Sequence, residues 1–418
     1  MTGDSEGELD WRVAEMKKLL RSQDLDALTC HFREERAFLS ALPLASLDKT
    51  LFARSKRNVL TTGAASCYPF TSYEMCDDNG VLLGVNKHNN SLIIIDIFNS
   101  RIYKNANIAI LGTSGAGKTF TMQLLALRMR RKNIQVFIIA PLKAHEFYRA
   151  CNNIGGAFIQ ISPASPCCIN VMEIRRSDSA ASELIDGPLI EKSLLASKIQ
   201  RLHIFFSLLI PDMTYEERQL LSFSQQTNVD LTNKYAVLDI SELTGDLLTV
   251  GMFVALDFVW DKAKEDRTAE KAIFIDETWQ LIGASSNRMA AEFVLEIFKI
   301  IRGYGGSAIC ATQDLNDFFA LDDGKYGKGI INNSKTKIIL NLEDEEARRV
   351  QSVLNLSEAE VMAVTHFQRG SGLISTNNNN TTVEFRSSAL ELELITSDHM
   401  ELKSLVERRK QKPLKTFE

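Results

Sequence analysis

The residues with the clearest chemical signature form a glycine-rich loop that ends in lysine and threonine. Glycines let a backbone wrap closely round an anion, and the N–H groups of such a loop point at phosphate oxygens. Lys118 is expected to reach the β- and γ-phosphates, and Thr119 to hold Mg²⁺ through its hydroxyl. The pattern G-x-x-x-x-G-K-[ST] is complete and predicts an ATP and Mg²⁺ site. Its residues are Gly112, Thr113, Ser114, Gly115, Ala116, Gly117, Lys118 and Thr119.

The segments on either side of this loop have two different periodicities. An apolar run at residues 108–111 leads into the loop, and good helix formers fill residues 120–132 after it. A strand before the loop and a helix after it form the context that separates a phosphate-binding loop from a chance match. The alternative interpretation, a glycine-rich turn with a surface lysine, does not require that context.

Two adjacent carboxylates, Asp276 and Glu277, follow a second apolar run at residues 271–275. A carboxylate at such a strand end can hold Mg²⁺ through water, so Asp276 is predicted to be a metal ligand. A second acid suits another task, and Glu277 is predicted to be the catalytic base that orients or deprotonates water. The alternative is a pair of acids at a helix start. With a complete phosphate loop upstream, we favour hydrolysis.

A third polar strand end and an arginine would complete such a site. Gln313 follows the apolar residues 308–311, and an amide there can hydrogen-bond the γ-phosphate or the attacking water. Negative charge develops on the γ-phosphate during hydrolysis, and a neighbouring subunit often supplies an arginine to stabilise it. We assign this role to Arg302. The full set of candidates is Arg302, Arg348, Arg349 and Arg369.

Composition and charge set limits on the class of protein. The chain has 418 residues, enough for two or three domains, and its net charge of -5 argues against a surface adapted throughout to nucleic acid. Its seven cysteines form no C-x-x-C pair, which favours free thiols in a reducing compartment and no zinc. The longest apolar run, residues 202–210, is well short of the ~20 residues of a membrane span. We therefore expect a soluble, cytoplasmic protein.

The order of predicted elements indicates an α/β fold. Strand and helix patterns alternate through residues 107–176 and again from residue 234, which predicts a mostly parallel sheet with crossover helices. Residues 81–96 predict a β-hairpin, and residues 365–386 a second hairpin with an asparagine turn at residues 377–380. A capped helix start is predicted at residues 212–217.

We divide the chain on these patterns. Residues 1–59 form a helical linker region, and residues 60–177 the first hairpin and the first part of the core. Residues 178–233 form an all-α insertion, with ordinary crossover helices as the alternative. Residues 234–390 complete the core, and residues 391–418 form a helix with a basic tail.

Taken together, the motifs resemble the large ATPases of bacterial type IV secretion and conjugation systems, the TraC-type or VirB-type transfer ATPases. These belong to the wider HerA/FtsK-like group of hexameric P-loop motors. Besides the P-loop, the resemblance rests on segments that occur in the family's order. They are Cys67-Tyr68-Pro69-Phe70, residues 79–86, Asn105-Ala106-Asn107, Ile154-Gly155-Gly156 with Ile169-Asn170, residues 273–279, Ala311-Thr312-Gln313, Leu356-Ser357-Glu358 and residues 370–373.

The resemblance implies a RecA-like P-loop core with a helical insertion and a short β/α extension at its N-terminus. It implies that ATP hydrolysis drives assembly of a secretion apparatus or movement of its substrates, and that neighbours in a hexameric ring complete each site. Expected partners are other secretion components at the inner membrane, to which the chain would be peripheral, and a protein substrate or pilus subunit. The chain would correspond to the C-terminal motor portion of such an ATPase, or to a short member of the family.

The chain departs from the family's pattern at two places. The family often has an acid near an E-Y pair, and residues 140–147 lack that pair. The family also often has Arg-Lys where this chain has Arg302-Gly303.

Two alternative functions remain. The first is a DNA-translocating motor of the coupling-protein or FtsK type, which the acidic charge disfavours. The second is a nucleotide-dependent scaffold, which would not need Glu277.

Overall fold

The computed structural model describes residues 3–22, 25–43, 46–56, 58–66, 74–162, 165–174, 187–210, 227–284, 286–377 and 379–411. The chain divides into two compact units, Met1–Thr71 and Ser72–Glu418.

The first unit consists of short helices: α1 (Glu6–Arg21), α2 (Glu34–Ala41), α3 (Lys49–Ser55) and α4 (Thr61–Ser66). Helix α1 begins where the Ser5 side chain accepts a hydrogen bond from the Glu8 N–H. None of the residues described in this unit is buried, and large apolar side chains such as Trp11 are exposed. Helices α1 to α3 lie within residues 1–59, for which a helical region is predicted, and the unit has no core of its own among the described residues.

The second unit is built on one large sheet. In the part of the chain that the structure describes it has eleven strands. They are β1 (Val81–Asn86), β2 (Leu92–Ile95), β3 (Ile108–Leu111), β4 (Gln135–Ala140), β5 (Ala157–Gln160), β6 (Tyr235–Asp239), β7 (Lys271–Ile275), β8 (Gly306–Thr312), β9 (Thr336–Ile339), β10 (Ser371–Thr376) and β11 (Asn379–Glu384).

The strand order is β2-β1-β11-β10-β9-β3-β8-β7-β4-β6-β5. Neighbours from β9 to β5 pair in parallel, whereas β10, β11, β1 and β2 pair antiparallel at one side. The predicted α/β fold with a mostly parallel sheet is therefore confirmed. Both predicted hairpins are present, but β11 already begins at Asn379, inside the predicted turn.

Helices connect the strands of this sheet. They are α5 (Lys118–Arg131), α6 (Ala144–Asn153), α7 (Gly187–Leu209), α8 (Asp246–Glu265), α9 (Trp279–Ile282), α10 (Arg288–Ile300), α11 (Leu315–Phe318), α12 (Lys325–Asn332), α13 (Asp344–Leu354), α14 (Glu358–Thr365), α15 (Ala389–Ile395) and α16 (His399–Gln411). The short helices α11 to α14 were not predicted. For α14 a signal exists, because Ser357 and Glu360 form a capping box.

Both faces of the central strands are covered, which explains why these strands are apolar throughout rather than alternating. All residues of β3, β7 and β8 are buried. Along β3, Ala109 and Leu111 join a core with α8 and α10, and Ile108 and Ile110 join a core with α5 and α6. The sheet is thus held between two helical layers, and its strand ends are fixed in space.

Helix α7 represents the predicted all-α insertion among the described residues. Its Arg201 forms ion pairs with Asp257 and Asp261 of α8; Arg201 and Asp257 are buried, and Asp261 is partly buried. The predicted helix start at residues 212–217 lies outside the described residues, as do Cys67-Tyr68-Pro69-Phe70 and the end of the basic tail from residue 412. The insertion and the other domain boundaries remain predictions.

The Asn107 side chain joins three segments at the amino-terminal edge of the sheet. Its amide nitrogen donates to the Phe298 carbonyl at 2.6 Å and to the Asn333 carbonyl at 2.9 Å. Its amide oxygen accepts from the Ala308 N–H at 2.9 Å. The strand that leads into the phosphate loop is therefore tied to α10, to the residue after α12 and to β8. The Asn105-Ala106-Asn107 segment has a structural role here.

We predict that Asn107→Ala destabilises the protein by about 2–4 kcal/mol, because it leaves buried backbone groups without partners. The free energy of unfolding, measured in denaturant, tests this. Asn153→Ala is the control, since Asn153 is exposed and its amide donates only to the Arg149 carbonyl on its own helix. Equal losses in the two variants would contradict the structural role of Asn107.

Candidate nucleotide-hydrolysis site

The parallel register brings the phosphate loop, the pair Asp276-Glu277 and Gln313 to one edge of the sheet. Leu111 at the end of β3 pairs with Thr312 at the end of β8, and Cys310 of β8 pairs with Ile275 at the end of β7. The segments that follow these strands therefore line one open cleft. Its walls are Ser114, Gly115, Gly117, Lys118, Thr119, Phe120, Lys143, Glu146, Glu277, Gln313, Arg369 and Ser397.

The phosphate loop takes a backbone path that favours glycine. Gly115 and Gly117 have φ angles of 82° and 100°, in the left-handed region, and α5 begins directly after Gly117. The buried Lys118 Nζ donates to the Gly112 carbonyl at 2.8 Å and to the Thr113 carbonyl at 2.9 Å. Burial lowers the pKa of Lys118, and the charges of Glu277 and Asp276 oppose this. The lysine thus lies at the loop it is predicted to serve.

Asp276 and Glu277 are both buried, with 5% of each residue exposed. The backbone on either side is fixed by the two neighbouring strands: the Asp276 N–H donates to the Ile139 carbonyl, and the Thr278 N–H to the Ala311 carbonyl. Glu277 has a φ of 47°, a left-handed conformation that costs about 1–3 kcal/mol for a residue other than glycine. Strain of this kind clusters at functional sites.

The acids do not cap the helix that follows them. Helix α9 has Thr278 at its N-cap position, and no side chain makes a capping hydrogen bond there. Asp276 Oδ1 instead accepts from the N–H of Glu277 at 3.0 Å. The alternative interpretation of the pair as a helix start is therefore not supported.

Burial dominates the electrostatics of the acid pair. It raises the pKa of Asp276, and the adjacent charge of Glu277 adds to that effect. Burial also raises the pKa of Glu277, against the Trp279 hydrogen bond and the charge of Lys118. A divalent cation in the cleft would offset this repulsion. A carboxylate and a hydroxyl, from Asp276 and Thr119, are oxygen ligands of the kind that Mg²⁺ takes together with substrate phosphates.

The predicted sensor and arginines have different positions. Gln313 is half-buried and lines the cleft. Arg302 is exposed and precedes β8, so it lies at the opposite edge of the sheet, about 20 Å along the strand. Arg348 is exposed on α13, and Arg349 donates to Asn316 Oδ1.

Arg369 lies in the cleft of its own chain, although the sequence analysis proposes it as a candidate for a neighbour's site. It approaches the phosphate loop closely: a Cβ on Gly117 would be 3.7 Å from the Arg369 Cγ. Its Nη1 donates to Asp398 Oδ2 at 2.9 Å. Sequence reasoning identified the residue but not the chain whose site it lines.

Four further cleft residues were not assigned a role in the site from sequence: Phe120, Lys143, Glu146 and Ser397. Lys143 and Glu146 follow β4, the strand beside β7, and Ser397 precedes α16. The available signal was topological, because every strand of a parallel block ends at the same edge. Although residues 140–147 lack the E-Y pair, they still place an acid, Glu146, in the cleft.

Comparisons with known proteins agree with this geometry. Residues 201–392 match the TraG P-loop domain, a range that contains Asp276, Glu277 and Gln313 but not the phosphate loop. TraC of Escherichia coli K12 is 22% identical over 378 residues, which covers 78% of this chain and 43% of TraC. The resemblance to the TraC- and VirB-type secretion ATPases is confirmed. The chain spans less than half the length of this relative.

Solved structures show the fold. VirB4 of Thermoanaerobacter pseudethanolicus is similar with a TM-score of 0.66 and 23% identity, over 77% of this chain and 100% of that chain. The predicted RecA-like P-loop core is thereby confirmed. The conjugative coupling protein TrwB reaches a TM-score of only 0.46 at 12% identity, over 67% of this chain and 85% of that chain, which does not distinguish between functions. No helix among the described residues is long and apolar enough to cross a membrane.

We predict that Asp276→Asn stabilises the nucleotide-free protein by roughly 1–3 kcal/mol at pH 8, because it removes one of two adjacent buried charges. The same variant should lose the rise in melting temperature that Mg²⁺ with ATP gives the wild type. Thermal unfolding with and without these ligands measures both effects.

Asp239→Asn is the matched control. Asp239 is also a buried acid at the end of a parallel strand, but it accepts hydrogen bonds from the Ser241 N–H and hydroxyl and has no acid directly beside it in the chain. This control should not gain stability and should still respond to the ligands. An Asp276→Asn protein that responds to Mg²⁺ and ATP like the wild type would contradict the metal assignment.

Proposed function

We propose that this chain is the ATP-hydrolysing motor of a type IV secretion or conjugation apparatus. The observation that carries the proposal is the buried acid Glu277 in the same cleft as the complete phosphate loop and Lys118. A site that only binds nucleotide has no need of such an acid. Similarity to TraC and to VirB4 supports the kind of machine, and because the chain spans 43% of TraC, the work of the whole apparatus belongs to the proposal.

In this mechanism the loop residues bind the triphosphate. The N–H groups of residues 112–119 and the start of α5 surround the β- and γ-phosphates. Lys118 Nζ exchanges the carbonyls of Gly112 and Thr113 for phosphate oxygens. Thr119 and Asp276 would hold Mg²⁺, which neutralises part of the phosphate charge when bound.

Hydrolysis then depends on the other side of the cleft. Glu277 accepts a proton from water as the water oxygen forms a bond to the γ-phosphorus and the bond to the ADP oxygen breaks. The proton passes on to the released products. Gln313 hydrogen-bonds the γ-phosphate or the water and so distinguishes ATP from ADP. In the same chain, Arg369 contacts the phosphates.

The remaining charge stabilisation comes from a second copy in this proposal. Arg302 cannot reach the cleft of its own chain across the length of β8, yet it is exposed and available to a neighbour. A ring, hexameric as in the motors that the motifs resemble, would place Arg302 at the next subunit's γ-phosphate. Conformational changes in the ring would then act on other secretion components at the inner membrane and on a protein substrate or pilus subunit.

A DNA-translocating motor is the second candidate. Its only specific support is the relation of coupling proteins to the same P-loop group, and the net charge of -5 gives no excess of cations for a DNA-binding surface. Turnover that DNA stimulates with a steep salt dependence would favour it. A scaffold that binds nucleotide without hydrolysis is a third candidate, and Glu277 is the residue that separates it from a motor.

We predict that Glu277→Gln lowers kcat for ATP by about 10²–10⁴-fold while nucleotide affinity is retained, because the amide cannot accept the proton. Lys118→Ala should lose nucleotide binding. Steady-state turnover and equilibrium binding of a fluorescent ATP analogue measure the two effects. Glu270→Gln is the control, because Glu270 is exposed at the opposite end of the same strand. Wild-type turnover by Glu277→Gln would favour the scaffold.

We predict that inactive Arg302→Ala and Lys118→Ala proteins regain activity when they are mixed. A site between one subunit with an intact phosphate loop and a neighbour with an intact Arg302 has both groups. Random assembly gives about a quarter of the wild-type sites in a 1:1 mixture. ATP turnover at constant total protein measures this. A mixture as inactive as its parents would exclude Arg302, and Arg348→Ala in its place tests Arg348, the exposed candidate on α13.

A further inference from the structure

The contact between Trp279 and Glu277 has no role in the chemistry described so far. The indole Nε1 of Trp279 donates a hydrogen bond of 2.8 Å to Glu277 Oε2. Trp279 is the first residue of α9, half-buried, and its ring packs against the core that contains α8 and α10. The donor therefore comes from a ring that is held in place on its apolar side.

Hydrogen bonds hold the backbone around Glu277 in place, whereas the Glu277 side chain can still rotate. Thr278 is anchored twice, by its N–H to the Ala311 carbonyl and by its Oγ1 to the Ile275 carbonyl at 2.8 Å. The Glu277 carbonyl accepts from the Gln280 N–H. A glutamate side chain still has three rotatable bonds, so a fixed backbone does not by itself determine where its carboxylate points.

Several charged groups attract or repel the Glu277 carboxylate. Its electrostatic neighbours on the surrounding elements are Asp276, Lys118, Lys143 and Asp314. The two lysines attract the carboxylate, and the two aspartates repel it. A charge-assisted hydrogen bond from a rigid indole is strong in a buried site and can hold one orientation against these forces.

We propose that Trp279 is a positioning residue for hydrolysis: its indole N–H holds one carboxylate oxygen of Glu277 and directs the other oxygen, Oε1, to the attacking water. The inference rests on the proposed role of Glu277 as catalytic base. Orientation of this kind affects the chemical step, because a misdirected base lowers kcat without changing how ATP binds.

Kinetics of Trp279→Phe test the inference. Phenylalanine keeps an aromatic ring against the core but has no N–H. We expect kcat for ATP to fall about 10–100-fold, with KM within about twofold of the wild type. Trp260→Phe is the control for the loss of an indole, because Trp260 packs edge-on against Tyr304 and is not a cleft residue. Wild-type kcat in Trp279→Phe would overturn the inference.

A double-mutant cycle separates positioning from packing. If Trp279 acts through Glu277, then Trp279→Phe has no further effect on the residual turnover of Glu277→Gln. Equal fold-losses in both backgrounds would show a general structural role and would overturn the inference. Trp279→His keeps a ring N–H in a smaller, less apolar side chain, so positioning predicts more activity than in Trp279→Phe, whereas packing predicts less.

Fluorescence gives a readout that does not depend on turnover. The chain has three tryptophans, so Trp11→Phe with Trp260→Phe leaves Trp279 as the only one. In that background Glu277→Ala should shift the Trp279 emission maximum, because the indole loses its charged acceptor, and Glu270→Gln should not. Identical spectra with and without the Glu277 carboxylate would overturn the contact.

Different results would overturn the catalytic role of Glu277 and the positioning role of Trp279. Wild-type turnover by Glu277→Gln would overturn both the catalytic base and the inference about Trp279. A nearly inactive Glu277→Gln protein together with a fully active Trp279→Phe protein would leave the proposed hydrolysis in place and overturn the positioning role alone.

Discussion

The burial of two adjacent carboxylates beside a buried lysine is the constraint on which the rest of this structure depends. Asp276 and Glu277 are almost fully removed from water, and burial raises the pKa of each. Such an arrangement persists only where the surroundings over-determine it. Here the strands on both sides supply that rigidity through the hydrogen bonds to Ile139 and Ala311. In the proposed mechanism, a cation bound with a triphosphate would offset the repulsion between these two acids.

The parallel register turns local motifs into one site. The phosphate loop and the acid pair are separated by more than 150 residues, yet they follow strands that lie on either side of β8. Helices cover both faces of the sheet and bury these strands. At the other edge of the sheet, Asn107 ties β3 to β8 and to the residues that follow α12. The strands β3 and β8, whose carboxyl ends lead into the candidate site, are thus also joined at the opposite edge.

The distribution of cations in the cleft also has a functional consequence. Lys118, Lys143 and Arg369 line the cleft of their own chain, whereas Arg302 lies beyond the far end of β8. In the proposed ring, one subunit would bind the phosphates, and Arg302 of a second would respond to the charge that develops on the γ-phosphate. In a ring this division would couple hydrolysis in one subunit to the position of the next. It accords with the proposed motor and gives a pure scaffold no comparable advantage.

Local patterns were sufficient to predict the phosphate loop, the acid pair, Gln313 and the alternation of strands and helices, because each depends on residues close together in the chain. Other features depend instead on which strands pair and in what register. They are the positions of Arg369 and Glu146, the contact from Trp279 to Glu277 and the hydrogen bonds of Asn107. The burial that raises the pKa of Asp276 and the left-handed backbone of Glu277 are likewise properties of the packed sheet. The sequence by itself therefore determined the chemical groups, and only the tertiary structure decided their distances, their solvent exposure and the chain whose site each arginine can reach.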